Sequence, residues 1–231
     1  MTGMSILLAT ALCALAISAG PPSAVGQNPA GESSKLALRV SLEWRRGDEW
    51  QSVDPRTVFH SGDAIRFRFV TSVGGYLYVL TQSSDGEAAW LFPLPQEGQR
   101  SRVEPGPEYL VPGTKGAFVV GGRAGFDVTS WVLSSAPIAT SDLALPAPGS
   151  QPSTLEPRCH AEMLRARGLC VDERAGPRAL TRPKQAPLEA LQGKSLVSRE
   201  LKFQTTNDST RISLPSPYAG VIVYEFLIAH N

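Results

Sequence analysis

Apolar and polar side chains alternate along much of this chain with a period of two residues. Residues 64–71 show the pattern clearly, since their aromatic and aliphatic side chains fall on one face of an extended chain and Arg66 and Arg68 on the other. This period is typical of a β-strand with one buried face. Such runs recur at short intervals between glycines and prolines, which predicts a mainly β protein built as an antiparallel β-sandwich-like domain.

Three consecutive strands, at 64–71, 76–81 and 87–92, form the stretch around which the chain is organised. Gly74-Gly75 separates the first strand from the second. Asp85-Gly86 supplies the positive φ of a tight hairpin turn between the second and the third. We therefore expect an antiparallel meander of three strands.

The remaining strands are predicted on either side of this meander. They lie at 36–44, 109–111, 117–120, 126–133, 201–205, 212–214 and 221–229. The last of them is apolar on both faces, which is typical of a strand inside a sheet. We therefore expect it to insert beside strands from the first half of the chain.

The composition changes after residue 144. Residues 145–157 contain four prolines together with glycine and serine, which indicates a linker. Short helices are predicted at 160–167 and 187–192. The intervening residues 174–187 are rich in Arg, Pro and Ala with little to bury, so partial disorder is expected there.

These patterns together define the predicted domain organisation. A single β-rich domain occupies residues 36–231. Within it, residues 144–195 form a linker or insertion that is partly helical or disordered, and residues 196–231 are returning strands.

The N-terminal segment has the pattern of a signal peptide. Its first 26 residues contain no charged side chain, and an apolar run from Ile6 to Ala19 is followed by the small-residue site Ala24-Val25-Gly26. This predicts export and cleavage before Gln27, with residues 27–35 as a flexible mature N-terminus. An uncleaved anchor is the alternative, but the run is shorter than the roughly 20 residues of a spanning helix, so no stable membrane insertion is expected after cleavage.

Several motifs in the central stretch carry a family resemblance. They are, in order, Ser61-Gly62-Asp63, Gly75-Tyr76-Leu77-Tyr78-Val79-Leu80, Asp85-Gly86 and Leu91-Phe92-Pro93. Over about residues 36–138 and the last strand, the chain resembles the bacterial family called domain of unknown function 4384. The resemblance implies a small β-sandwich-like accessory domain of exported or membrane-attached proteins, hence a periplasmic or secreted location. The family has no established catalytic residues, so none is carried over.

Cys159 and Cys170 are the cysteines that remain after signal removal. In an oxidising compartment an even pair predicts a disulfide. Zinc binding and free thiols are the alternatives; zinc sites favour shorter ligand spacings, and His60 and His230 lie far away in sequence. Both of these histidines are expected to be exposed residues at the ends of elements.

Two sequence motifs that mark catalytic sites are missing from the sequence. It contains neither Gly-x-Ser-x-Gly nor His-Glu-x-x-His. The net charge of +1 gives no strong field for nucleic acid. We therefore expect no enzyme activity, no cofactor, no bound metal and no nucleic-acid partner.

The remaining candidate for function is a binding face made by Arg66, Arg68 and Trp90. Basic and aromatic side chains on a sheet can hold a partner. In the alternative interpretation the aromatic rings belong to the core and the arginines are its solvated covering. The sequence favours a non-catalytic accessory or binding module of the cell envelope with a protein partner. An envelope hydrolase with a loop-built site and a purely structural subunit are the alternatives.

Overall fold

Two β-sheets face each other across a large apolar core in this computed structural model. The structure describes residues 37–94, 98–113, 116–143, 155–159, 169–180, 191, 196–198 and 200–231. These residues contain fifteen strands, a 3-10 turn at Thr140–Asp142 and no α-helix. The mainly β, sandwich-like fold predicted from the sequence is confirmed. Residues Ser34–Asn231 form one compact unit.

The strands are short, apart from three that span ten residues each. In chain order they are β1 (Ala37–Arg46), β2 (Glu49–Val53), β3 (Val58–Phe59), β4 (Ala64–Thr71), β5 (Gly75–Gln82), β6 (Ala88–Phe92), β7 (Arg102–Val103), β8 (Glu108–Val111), β9 (Phe118–Val119), β10 (Gly125–Ser134), β11 (Gly176–Ala179), β12 (Leu196–Val197), β13 (Lys202–Thr205), β14 (Thr210–Ser213) and β15 (Val221–His230).

The strands divide between two sheets, which we call sheet A and sheet B. Sheet A has the order β13-β14-β1-β4-β8, with β2 beside β1 and β9 beside β4. Sheet B has the order β11-β15-β10-β5-β6, with β12 and β3 beside β15 and β7 beside β5. Neighbouring strands are antiparallel except β12 and β3, which run parallel to β15.

The predicted meander of three strands is wrong at its first connection. β5 and β6 form the expected hairpin, but β4 lies in sheet A between β1 and β8. Residues 72–74 therefore cross from one sheet to the other. Both β4 and β5 carry an apolar face, and stacking the sheets buries Phe69 and Val79 in the same core, which side-by-side pairing would not achieve.

Aromatic rings fill the centre of the space between the sheets. The ring of Trp131 on β10 stacks on Tyr224 of β15 at 5.7 Å between centroids. From the facing sheet, Phe67 meets Trp131 edge-on at 5.2 Å and Phe226 at 5.0 Å. These rings fix how the two sheets pack, because each fills a space that no neighbouring side chain can reach.

The last strand lies inside sheet B, as predicted. All ten residues of β15 are buried, and β10 pairs with it along its whole length. On its other side β12, β11 and β3 follow one another. Its outer face is covered by apolar side chains from the chain between β10 and β15, among them Ile138, Leu143, Leu180 and Leu191.

Part of the predicted insertion is ordered rather than loose. Residues 176–179 form β11, and Ala175 and Leu180 beside it are buried. Of the segment 174–187, for which partial disorder is predicted, residues 174–180 are held in place by pairing with β15 and by burial of short side chains, and residues 181–187 lie outside the described residues. The helix predicted at 160–167, the helix at 187–192 apart from Leu191, and the segments 1–26 and 27–35 lie outside the described residues.

Removing the central ring should test this packing. We expect Trp131→Ala to lower the free energy of unfolding by about 3–5 kcal/mol, because it leaves a cavity beside Phe67 and Tyr224. Val119→Ala is the matched control, since Val119 is 62% exposed and should change stability by roughly 0.5 kcal/mol or less. Urea unfolding measures both variants. Equal stabilities would contradict the assignment of Trp131 to the core.

Candidate binding face on sheet A

The three side chains of the predicted binding face are divided between the two sheets. Arg66 and Arg68 are neighbours on the outer face of β4 in sheet A. Trp90 lies on β6 in sheet B, where it packs against the cluster that contains Tyr78 and Val223 on that sheet's outer face. The structure therefore brings the two arginines together and places Trp90 on the opposite side of the sandwich.

A buried carboxylate joins the two arginines. Glu43 on β1, which is only 3% exposed, lies opposite Arg66 in the strand register. Its Oε2 accepts a hydrogen bond from Arg66 Nε at 2.6 Å, and its Oε1 lies 2.7 Å from Arg68 Nη2. Hydrogen bonding to Glu43 raises the pKa of Arg68. Two guanidinium groups thus offset the cost of burying one carboxylate.

Aromatic stacking and a second carboxylate extend this ion-pair network. The guanidinium of Arg66 lies 4.1 Å from the ring centroid of Trp50 on β2, and that of Arg45 lies 5.9 Å from the same ring. Arg68 also forms an ion pair with Glu108 on β8. The network therefore crosses four strands of sheet A and holds its side chains in fixed positions.

The other half of this face carries three cations. The register places Arg39 on β1 directly opposite Arg211 on β14, and Lys202 lies on the adjacent edge strand β13. All three are exposed. Their side chains form no hydrogen bond or ion pair with another described residue, although the charge of Arg39 acts on Asp208 in the turn between β13 and β14. Like charges directly opposite each other in a sheet are unfavourable, so an anion at this point would relieve repulsion.

The outer face of sheet A is consequently basic. We call it the basic face and define it by its charged residues, Arg39, Glu43, Arg45, Arg66, Arg68, Glu108, Lys202 and Arg211. Six basic and two acidic side chains give it a net charge of +4, whereas the whole chain has +1. The remaining charge of the protein is therefore net acidic, and the basic face is a local concentration of positive potential.

His230 is buried, so the expectation that it is exposed is wrong. It points to the inner side of sheet B, where its Nε2 lies 3.1 Å from Asp127 Oδ1. Its Nδ1 has no partner among the described residues. The cause is the pairing of β15 with β10 through to the end of the chain, which encloses the last residues. His60 is exposed, as predicted.

Asp127 also anchors the turn between β5 and β6. Its Oδ1 accepts the N–H of Ser84 at 2.8 Å, and the Ser84 hydroxyl donates to the carbonyl oxygen of Arg123 at 2.6 Å. Asp85 accepts the N–H of Arg123 at 3.2 Å, which is possible because Gly122, with φ of +88°, leaves room for its carboxylate. Ser84 is itself buried, and its hydroxyl donates to Arg123 rather than to His230. These side chains therefore hold the two loops together and offer no exposed nucleophile.

Cys159 and Cys170 are joined by a disulfide bond in the structure. Asp172 holds the ends of this loop, because it accepts the N–H of Arg158 at 2.8 Å and forms an ion pair with Arg174 at 2.6 Å. The hydrogen bond from Arg174 holds the pKa of Asp172 well below its usual range. Within the described part of the chain, no three histidine, cysteine or acidic side chains are grouped as a metal would require.

Comparison with known proteins gives one result. The model of the family described as "Domain of unknown function (DUF4384)" matches residues 58–137, from β3 to just beyond β10. The family resemblance predicted from the sequence is therefore confirmed over these residues. A search of the curated proteins and a search of the solved structures found no match. Across the described residues, no helix is long and apolar enough to span a membrane.

The buried carboxylate of the basic face should matter for stability. We expect Glu43→Gln to lower the free energy of unfolding by about 2–3 kcal/mol, because the amide removes the buried charge that pairs with both arginines and leaves Arg68 with Glu108 alone. Glu104→Gln makes the same change in the exposed ion pair with Arg102 and should cost about 1 kcal/mol or less. Urea unfolding compares the two variants, and a loss no larger at Glu43 than at Glu104 would argue against the buried network.

The ion pair at Asp172 predicts a dependence on pH. Because the folded pKa is depressed, the carboxylate contributes its full stability above the unfolded value of about 3.9 and loses it as the pH falls through the folded pKa. Asp172→Asn should therefore cost about 2 kcal/mol at neutral pH, and the difference from wild type should shrink below about pH 4. Thermal unfolding across this range measures the effect. The exposed Asp142→Asn is the control; a cost at Asp172 that does not change with pH would refute the assignment.

Proposed function

We propose that this protein is an exported, non-catalytic binding module of the bacterial cell envelope, and that it binds an acidic surface of a partner protein through the basic face. The observation that carries the proposal is the cluster of Arg39, Arg211 and Lys202, which are exposed and form no side-chain hydrogen bond or ion pair with another described residue. Asp208 interacts electrostatically with Arg39, so the cluster keeps an excess of positive charge to which the carboxylates of a partner would bind.

The other half of the basic face prepares it for binding. Trp50, Glu43 and Glu108 hold Arg66 and Arg68 in place before any partner arrives. Side chains that are already ordered lose less conformational entropy on association. The basic face therefore combines a fixed half, which sets the shape, with an exposed half, which supplies charge.

Two features support an extracytoplasmic location. The N-terminal segment has the uncharged apolar pattern of a signal peptide. The disulfide between Cys159 and Cys170 is of the kind that persists in oxidising compartments such as the periplasm. The family resemblance is to exported or membrane-attached bacterial proteins, which agrees with both.

The hydrolase alternative has less support. Histidine, aspartate and serine do meet at His230, Asp127 and Ser84, but each of these side chains is buried. A catalytic group must reach its substrate in some accessible pose. Nothing in the described ranges therefore favours enzymatic turnover over binding.

Charge reversal on the basic face tests the proposal. Proteins captured from periplasmic extract by the wild type would be purified and their affinities measured one by one by calorimetry. We expect Arg39→Glu/Arg211→Glu to lower the affinity for an authentic partner by at least about tenfold, because each replacement repels the partner's carboxylates. We also expect the affinity of the wild type to fall as the salt concentration rises.

The matched control is Arg100→Glu/Arg102→Glu, which changes the net charge equally at the start of β7 and two residues before it. Both of these arginines are exposed, and Arg102 takes part only in surface contacts with Glu104 and Tyr76. The control should bind as the wild type does. A partner that tolerates the Arg39/Arg211 reversal, or whose affinity ignores salt, would contradict binding through the basic face.

A further inference from the structure

The strand at one end of sheet A has an edge that no other described strand covers. β13 (Lys202–Thr205) pairs with β14, and no other strand among the described residues lies beside it. Lys202, Gln204 and Thr205 are exposed, and Phe203 is half-buried. The four residues keep a regular register with β14 and include neither proline nor glycine. Such an edge presents unpaired backbone groups to any chain of matching shape.

The hydrogen-bond pattern of the hairpin identifies these unpaired groups. The N–H of Thr206 donates to the carbonyl of Ser209 at 2.8 Å, so these two residues form a hydrogen-bonded pair. Bonded and non-bonded pairs alternate in an antiparallel ladder. Lys202 and Gln204 therefore bond to β14, and the N–H and C=O groups of Phe203 and Thr205 point to the open edge.

A side-chain contact agrees with this assignment. Residues of a non-bonded pair lie closer together than those of a bonded pair. The hydroxyl groups of Thr205 and Thr210, which face each other across the hairpin, are 3.0 Å apart.

The other edges are less suited to accept a strand. β11 contains Pro177, which lacks an N–H, and the register of β5 with β6 shifts beside Leu80. Pro112 directly follows β8. β2 is regular, but Asp48 and Glu49 give its start a negative charge. β13 combines a regular backbone with two exposed cations on its outer side, Lys202 and the neighbouring Arg211, while Glu200 and Asp208 lie before and after the strand.

We infer that β13 receives an extended acidic segment of a partner protein, which adds to sheet A as a further strand. This inference rests on the proposed function, since it identifies how the basic face holds its partner. On the outer side, alternate carboxylates of the added strand would lie next to Lys202 and within reach of Arg211. On the inner side, apolar residues would lie next to Phe203, which packs on Tyr224 at the border of the core.

Charge also favours an acidic segment over a second copy of the chain as the partner of β13. Two β13 strands placed edge to edge would bring the Lys202 side chains of both copies to the shared edge. Lysine on an edge strand is a common device against self-association, because like charges repel. An acidic segment meets the same lysine with attraction.

The experiment uses the mature protein and a short synthetic peptide in which Glu and Val alternate, with a second peptide that has Lys in place of Glu. Amide hydrogen exchange, followed residue by residue by NMR, should slow at Phe203 and Thr205 when the Glu peptide binds. The amide of Gln204 should not change, since β14 already protects it. The Lys peptide should not bind.

Two variants separate backbone pairing from charge. Thr205→Pro removes an N–H that faces the edge, where proline is tolerated, so binding should fall at least about tenfold with little change in melting. Lys202→Glu leaves the backbone unchanged and should weaken the Glu peptide while admitting the Lys peptide. Should the proline variant fail to fold, Lys202→Glu and the exchange of the wild type still decide the question.

Three results would overturn the inference. In the first, the Glu peptide perturbs Arg39 and Arg211 but leaves exchange at Phe203 and Thr205 unchanged; binding is then to the flat face, and the proposed function stands without strand addition. In the second, the wild type does not bind the Glu peptide, and the effect of Arg39→Glu/Arg211→Glu on captured partners then decides the proposed function separately. In the third, both amides are protected without peptide and the mass doubles, which makes a second copy the occupant.

Discussion

The fold depends on the pairing of β10 with β15. These strands come from the middle and the end of the chain, and they pair over ten residues each. Their inner faces supply Trp131, Tyr224 and Phe226 to the aromatic centre against which Phe67 of sheet A packs. Because β15 is apolar on both faces, it requires sheet A on one side and, on the other, the apolar side chains from the chain between β10 and β15. A chain without this pair would leave both layers uncovered.

Burial of a charge organises the outer face of sheet A in a similar way. Glu43 lies on the side of β1 that faces away from the core, yet neighbouring side chains enclose it. A carboxylate in this position is stable only with counter-charges, and Arg66, Arg68 and the ring of Trp50 complete the arrangement. Positive charge that exceeds this internal requirement remains at Arg39, Arg211 and Lys202, which under the proposed function is the charge that a partner meets.

The predictions from the sequence succeeded where the information is local. Alternating side chains located the strands, and the turn at Asp85-Gly86 located the hairpin of β5 and β6, because turn chemistry acts over a few residues. The crossing between β4 and β5 was missed, since a period of two does not say which sheet a strand joins. The enclosure of Glu43 and of His230 was missed for the same reason. Each depends on register with a strand distant in sequence, and no single strand's pattern contains that register.

The residues of the basic face come partly from inside and partly from outside the segment that matches the family. Arg66 and Arg68 lie within the matched residues 58–137, whereas Arg39, Lys202 and Arg211 lie in flanking strands outside them. The matched segment therefore supplies β4, the central strand on which the face is built, and the flanking strands supply its excess positive charge and the edge strand β13. The matched segment contains neither β1 nor β15, so proteins that share only this segment would share part of each sheet and present other strands and side chains beside it. Under the proposed function, the choice of partner then resides in the flanking strands, and the family match alone does not carry it.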